Sequence, residues 1–327
     1  MNQVPQQSTN AVLMIRPCCF HPNPETAADN AFQREAAGED LSAVSRKATA
    51  EFDAAVQTLR AHDVTVHVVE DTPEPEKPDA VFPNNWFSTH HDGRVALYPM
   101  HAPARQRERR PDVIDSLRAH YRITEVIDYS AEEQSGRALE GTGGLVIDHV
   151  ARIVYASISQ RTNSEVLKRF CADFGYEPIT FRSESEPGCP IYHTNVMMCV
   201  GSEFALVGLQ NIPDEAERTG VQNLLEANGK EVIELTPGQI GEFAGNALEL
   251  HNRDEKLLVL SARAAAALGD EPRTALQKYA RLVPLSLPTI ELAGGSARCM
   301  LATIRLPGSG EGNPRGERRG RGRGKEA

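Results

Sequence analysis

The stretch "NVMMCVGSEFALVGL", Asn195 to Leu209, holds two apolar runs on either side of a Gly-Ser pair. That is the pattern of two strands joined by a tight turn. It recurs. "NWFSTHHDGRVALYPM" begins at Asn85, "GGLVIDHVARIVYASIS" at Gly143 and "NALELHNRDEKLLVLS" at Asn246. The turns there are His-Asp-Gly, Asp-His and Asn-Arg-Asp, and successive starts lie 58, 52 and 51 residues apart. A near-constant interval of this kind marks a repeated structural unit.

Each strand pair is followed by a segment with helical spacing: "RRPDVIDSLRAHY", "NSEVLKRFCADFG", "PDEAERTGVQNLLEANG" and "ARAAAALGDEPRTALQKYA". The second opens on capping residues and the third closes on a Gly stop. A short strand comes next each time, in "ITEVIDYS", "YEPITFRS", "KEVIELTP" and "RLVPLSLPTIEL". The unit is β-β-α-β, four times over. The chain ends complete a fifth. "AVLMIRP" reads as a strand, "LSAVSRKATAEFDAAVQTLRAHD" as a helix and "VTVHVVED" as a second strand, while "ARCMLATIRL" near the C-terminus can supply the missing hairpin strand. Alternating strands and helices also fit a doubly wound sheet. The constant interval and the unpaired terminal strands favour a ring of five units about a pseudo-five-fold axis, which leaves few free sheet edges.

The chain has 327 residues with 40% hydrophobic and 24% charged content, as expected of a soluble globular protein. No apolar run nears the ~18 residues that span a bilayer, and the N-terminus lacks the pattern of a secretory signal. The six cysteines, at 18, 19, 171, 189, 199 and 299, form no C-x-x-C pair and no zinc spacing, which suits free thiols in a reducing, cytoplasmic setting. A net charge of −10 argues against general nucleic-acid binding. The last residues, 308–327, are Gly- and Arg-rich and have nothing to bury, so we expect a disordered tail after a single catalytic domain over 1–307.

In a ring, polar residues at the strand starts collect near the axis. Asn84 and Asn85 in "FPNNW", Glu140 in "LEGTGG", His193 and Asn195 in "IYHTN", Asn246 in "GEFAGN" and Cys299 in "GGSARCM" hold such places. A Cys, a His and a carboxylate in one cleft form a nucleophilic set. The simpler reading of any one of them is a small core residue or a turn residue. No His/Asp spacing makes a metal site, and no Walker or dinucleotide-binding glycine motif is present, so no cofactor is expected.

These segments resemble the guanidine-modifying enzyme superfamily, the pentein fold, which includes arginine deiminases, dimethylarginine hydrolases, amidinotransferases and succinylarginine dihydrolase. "GGSARCM" resembles its C-terminal nucleophile segment, "LEGTGG" its Glu-Gly-Gly motif and "SISQRTN" its Gly-x-Ser-x-Arg-Thr. "IYHTN" sits where the family has His-x-Asp, and "FPNNWFS" where it has Phe-x-Arg-Asp. The motifs follow the family's order up to about residue 307. The likeness is closest to the citrulline utilisation hydrolase branch.

The resemblance implies an α/β five-bladed propeller and a role for each residue. Cys299 would be the nucleophile. His193 would protonate the leaving amine and then activate water, and Glu140 would bind substrate nitrogens or position His193. Arg161 would hold a substrate carboxylate, with Arg105 or Arg107 as a second clamp, and Asn84 would lie beside the substrate. Deiminases carry Asp where Asn85 and Asn195 stand here. An amide can donate to a carbonyl oxygen, which a carboxylate cannot. That favours a neutral ureido group, hence citrulline giving ornithine, ammonia and carbon dioxide. Arginine dihydrolase or deiminase activity, arginine:amine amidinotransfer, and a non-enzymatic binding protein on the same ring are the alternatives. The implied partner is a small molecule, citrulline or another arginine-like amino acid, with no membrane; a homodimer is compatible with the sequence.

Overall fold

A computed structural model describes residues 6–36, 38 and 40–309. The remaining residues, 310–327 of the expected tail among them, lie outside the described residues. Five three-stranded sheets follow one another along the chain. In the second, Phe87–Thr89 pairs antiparallel with Arg94–Leu97, which pairs parallel with Glu125–Asp128. The third joins Val146–Asp148, Ile153–Ser157 and Glu177–Phe181 in the same way. The fourth uses Met198–Val200, Phe204–Val207 and Glu231–Glu234, and the fifth Leu248–His251, Lys256–Ser261 and Arg281–Leu285.

The first sheet is built from both ends of the chain. Ala11–Arg16 pairs parallel with Thr65–Glu70 and antiparallel with Ala302–Thr303. The expected closing strand is therefore present but short. Contacts of the body run past Pro307: Gly308 bridges to Tyr121, and the Ser309 N–H donates to the His120 carbonyl.

The middle strands Ile153–Ser157 and Phe204–Val207 are buried at every residue. This is why they read as continuous apolar runs rather than alternating ones. A helix covers the outside of each sheet. In Leu41–Ala61 the buried residues Val44, Ala48, Phe52, Ala55, Val56 and Leu59 form one stripe at helical spacing. Burying each of its larger side chains contributes roughly 1.5–3 kcal/mol. The expected helix over 262–280 is broken in two, Ala262–Ala267 and Asp270–Leu276, because Gly269 takes a left-handed φ of 69° between them. Among the described residues, no helix is long and apolar enough to cross a membrane.

The strand starts differ from expectation in one way that matters for the site. The polar residues sit not in strands but on short helical turns just before them: Pro83–Asn85, Gly141–Gly144, Thr194–Met197 and Ala297–Met300. A fifth turn ends at Asn246, whose N–H donates to the Phe243 carbonyl. Each turn touches the next. Asn84 meets Thr142, Thr142 lies in the same turn as Gly143 beside His193, and Asn246 bonds both Asn195 and the Arg298 N–H. The last turn packs back on the first.

Candidate active site

The five turns bring together residues that are scattered in sequence because each turn ends at the ring axis. Cys299 sits on the Ala297–Met300 turn and is buried. Its Sγ receives Asn246 Nδ2 at 3.3 Å and Asn195 Nδ2 at 3.5 Å. Asn246 cannot be turned over without loss, since its Oδ1 accepts from the Arg298 N–H at 3.0 Å. Asn246 therefore turns its amide donor to the sulfur, while Asn195 reaches it with both amide atoms, its Oδ1 accepting from Sγ at 3.9 Å.

His193 lines the same narrow cleft as Cys299. Its Nε2 lies 2.8 Å from Glu140 Oε2. A carboxylate only accepts, so Nε2 carries the proton and Nδ1 is left as the basic nitrogen. Burial lowers the His193 pKa, and the bond to Glu140 opposes that fall. The imidazole is thus held neutral and aligned. Glu140 is fully buried, accepts from the His101 N–H at 2.9 Å, and lies 3.6 Å from Arg105 and 3.8 Å from Arg161. Burial alone would push its carboxyl up, but His193 and the two arginines hold it well below the usual range. It is not among the residues that line the cleft, so its geometry is that of a positioning group for His193. Gly143 makes this approach feasible. A Cβ there would stand 2.2 Å from Asn85 Nδ2 and 2.7 Å from His193 Nδ1.

Asn85 is oriented by its neighbour. Arg105 donates from Nη1 to Asn85 Oδ1 at 2.9 Å. This leaves Asn85 Nδ2 as a buried donor with no partner, on a residue that lines the cleft. Such a group costs roughly 1–3 kcal/mol unless something accepts from it.

Away from the sulfur the cleft is ionic. Arg105 grips Glu108 through two bonds of 2.9 and 3.0 Å and lies 3.7 Å from Asp79. Asp79 also accepts from Asn23 Nδ2 at 2.8 Å and, among the described residues, is the one carboxylate lining the cleft. Arg161 stacks on the Tyr192 ring at 4.6 Å, and its Nε donates to Asp29 at 2.8 Å. The expected carboxylate clamp is therefore already engaged by an acid from the long segment between the first strand and the first helix.

Cys299, His193, Asn85, Arg105 and Arg161 all line the cleft. Asn195 reaches the sulfur from behind. Asn84 does not line the cleft; its amide is spent on Thr142 at 3.3 Å, between two turns. Of the two candidate clamps, Arg107 is exposed and Arg105 takes the inward place. Sequence reasoning missed Asp79 and Asp29. Asp79 reads as a turn residue after Pro78, and Asp29 lies in a segment without periodicity. The one available signal for Asp29 was length, since long connections without secondary structure of their own are often functional. Asn246 was placed on the axis but given no task.

Comparison with known proteins fits this architecture. The chain aligns with the substrate-bound N-terminal domain of ArgZ, an arginine dihydrolase from the ornithine-ammonia cycle in Cyanobacteria. The TM-score is 0.70 at 16% identity, over 91% of this chain and 98% of that one. The complex of AgrE with L-arginine gives 0.70 at 17% identity, over 90% of this chain but 40% of AgrE, so this chain spans less than half of that protein. A dimethylarginine dimethylaminohydrolase carrying an S-methyl-L-thiocitrulline adduct gives 0.61 at 16% identity, over 89% and 98%. At these identities the likeness establishes the fold. None of the curated proteins matches this chain. The family model for eukaryotic N,N dimethylarginine dimethylhydrolase matches residues 16–306, from the end of the first strand to beyond the last. A match of that extent, on a ring of five such sheets, places this chain in the N,N dimethylarginine dimethylhydrolase family, within the pentein superfamily of guanidino-modifying enzymes.

Proposed function

We propose that this protein is a Cys299-dependent hydrolase of the C–N bond in a ureido or guanidino amino acid, with citrulline as the substrate. The observation that carries the choice is the buried, unpartnered Nδ2 of Asn85, a residue that lines the cleft. A neutral ureido oxygen accepts from that amide; a guanidinium, which only donates, does not. The surroundings support the same reading. Amides reach the sulfur, Asp79 in the ionic part of the cleft is placed for an α-ammonium, and an α-carboxylate would take the place of Asp29 on Arg161.

In this mechanism the basic Nδ1 of His193 takes the Cys299 proton. The thiolate attacks the ureido carbon, and His193 returns the proton to the departing amino group, which leaves as ammonia. The intermediate is an S-linked thiocarbamate. Water, losing a proton to His193, attacks the same carbon and breaks the C–S bond, and that proton goes back to sulfur. The product carbamate loses carbon dioxide to give ornithine. Glu140 stabilises the imidazolium at each transfer.

The second reading is arginine dihydrolase. What favours it is the family, together with neighbours described as an arginine dihydrolase and as a complex with L-arginine. Comparing kcat/KM for citrulline and arginine, with ammonia and ornithine followed by mass spectrometry and Cys299→Ala as the blank, separates the two. Citrulline is expected to be the better substrate and the blank to be silent. A much higher kcat/KM for arginine overturns the citrulline reading in favour of the dihydrolase. Turnover that survives in Cys299→Ala overturns both.

A further inference from the structure

Behind the catalytic turns a second cavity system follows the same axis. Its inner chamber is lined by Asn195, Thr142, Arg298, Arg305, Glu249 and His149, among others. The outer one shares Arg305 and His149 and adds His91, His251, Ser8 and Thr9, with no acidic side chain in its wall among the described residues. Asn195 lies 3.5 Å from Cys299 Sγ, and Arg298 is the residue before Cys299. The inner chamber thus ends at the rear of the catalytic turn.

Among the described residues, the two arginines here have no counter-ion. Arg298 gives Nη1 to the Leu301 carbonyl at 2.8 Å. Arg305 gives Nη1 to the Gln6 carbonyl at 2.7 Å and Nη2 to that of Gln7, and its Nε is buried with no partner. Among the described residues neither has a carboxylate within ion-pair distance. Glu249, the one acid in the inner wall among the described residues, is held by the Ser202 N–H at 3.0 Å and by its hydroxyl at 2.5 Å. Burial lowers both arginines, Arg305 to about 10. Two cations facing one cavity system, with only neutral partners, are half of an ion pair.

We propose that this cavity binds a small oxyanion, a phosphate or a carboxylate, between Arg305 and Arg298, at a site separate from the catalytic cleft. An anion there offsets the positive charge of Arg298 beside Cys299. Occupancy therefore slows reactions of the sulfur with electrophiles.

The test uses the full chain, with inorganic phosphate and acetate titrated by calorimetry at constant ionic strength and chloride as the reference. Iodoacetamide labelling of Cys299, followed by peptide mass spectrometry, gives a second readout that needs no turnover. Saturable binding of phosphate, acetate or both, tighter than chloride, is expected, and whichever binds more tightly names the source. The bound anion should slow Cys299 labelling severalfold. Arg305→Gln should weaken binding about tenfold or more, the loss expected for one charge-assisted contact, and remove the effect on labelling. Ser8→Asp, which places a carboxylate in the outer wall, should abolish binding and slow labelling without added anion; it decides the matter if Arg305→Gln does not fold. Binding no tighter than chloride overturns the proposal. So does unchanged oxyanion affinity in folded Arg305→Gln, which would put the anion on Arg105 and Arg161 instead.

Discussion

Arg105 and Arg161 in the cleft, and Arg298 and Arg305 behind it, belong to the same ring axis but meet opposite electrostatic conditions. The first pair is sealed among Glu108, Asp79, Glu140 and Asp29, and its pKa values rise although burial pulls them down. The second pair has carbonyl partners and a cavity, and its pKa values fall. Burial disfavours every charge, and opposite charges at short range reverse that effect. Placement on the axis is therefore not what makes an arginine a fixed structural charge. The acids around it decide, and they cluster at the end where His193 and Cys299 line one cleft.

Glu140 is the hub of that cluster, so removing its charge should disturb the contrast most. Glu140→Gln leaves Arg105, Arg161 and His193 with one anion fewer. We expect kcat/KM to fall about a hundredfold or more and stability by about 3 kcal/mol. The carboxylate is what opposes the fall of the His193 pKa. Without it the acid limb of the pH–rate profile moves to lower pH. An unchanged limb would show that His193 is not the group titrating there.

Asn85→Asp sharpens the contrast by extending the acid cluster toward the sulfur. The new carboxylate faces Arg105 and removes the free amide donor. Citrulline kcat/KM should fall about tenfold, and arginine should bind about tenfold more tightly. Parallel steady-state kinetics on both substrates check this, and equal losses for both would remove Asn85 from substrate selection.

Glu108 is the acid that the crowding penalises. Burial pushes it up to about 7 against the pull of Arg105, with Asp79 and Glu140 adding to the rise. The folded state then holds this proton more tightly than the unfolded chain. Its contribution to stability is complete below the ordinary Glu range and is lost as pH rises toward 7. Glu108→Gln cannot ionise, so thermal melts from pH 5 to 8 should lose less stability than the parent, by on the order of 1–3 kcal/mol. Parallel slopes would mean that Glu108 is ionised throughout. At the small end, Arg107→Ala removes an exposed cation and should change stability by no more than about 0.5 kcal/mol, with kinetics unaltered. A larger loss on melting or in turnover would return Arg107 to the site.

Much of the fold was legible because strands and helices impose periods of 2 and 3.6 on apolar residues. Four hairpins, five helical segments and the unpaired terminal strands all left that mark. The motif residues were legible too, since each sits where a strand begins and so comes to the axis in any closed ring. The choice between Arg105 and Arg107 was not. Two residues apart on a helical turn, they point to nearly opposite sides, and "PARQRERR" carries no period long enough to say which side is inward. Nor could the partner of Arg161 be read, because Asp29 is 132 positions away. By itself, then, the sequence determined the repeat, the ring it implies and the identity of the groups at the axis, all of which follow from local patterning. The tertiary structure alone decided which arginines find acids, which amide is left without an acceptor and which nitrogen of His193 carries the proton. Those outcomes depend on distances of 3–4 Å between segments remote in sequence, where one carboxylate more or less reverses the sign of a buried group's electrostatics.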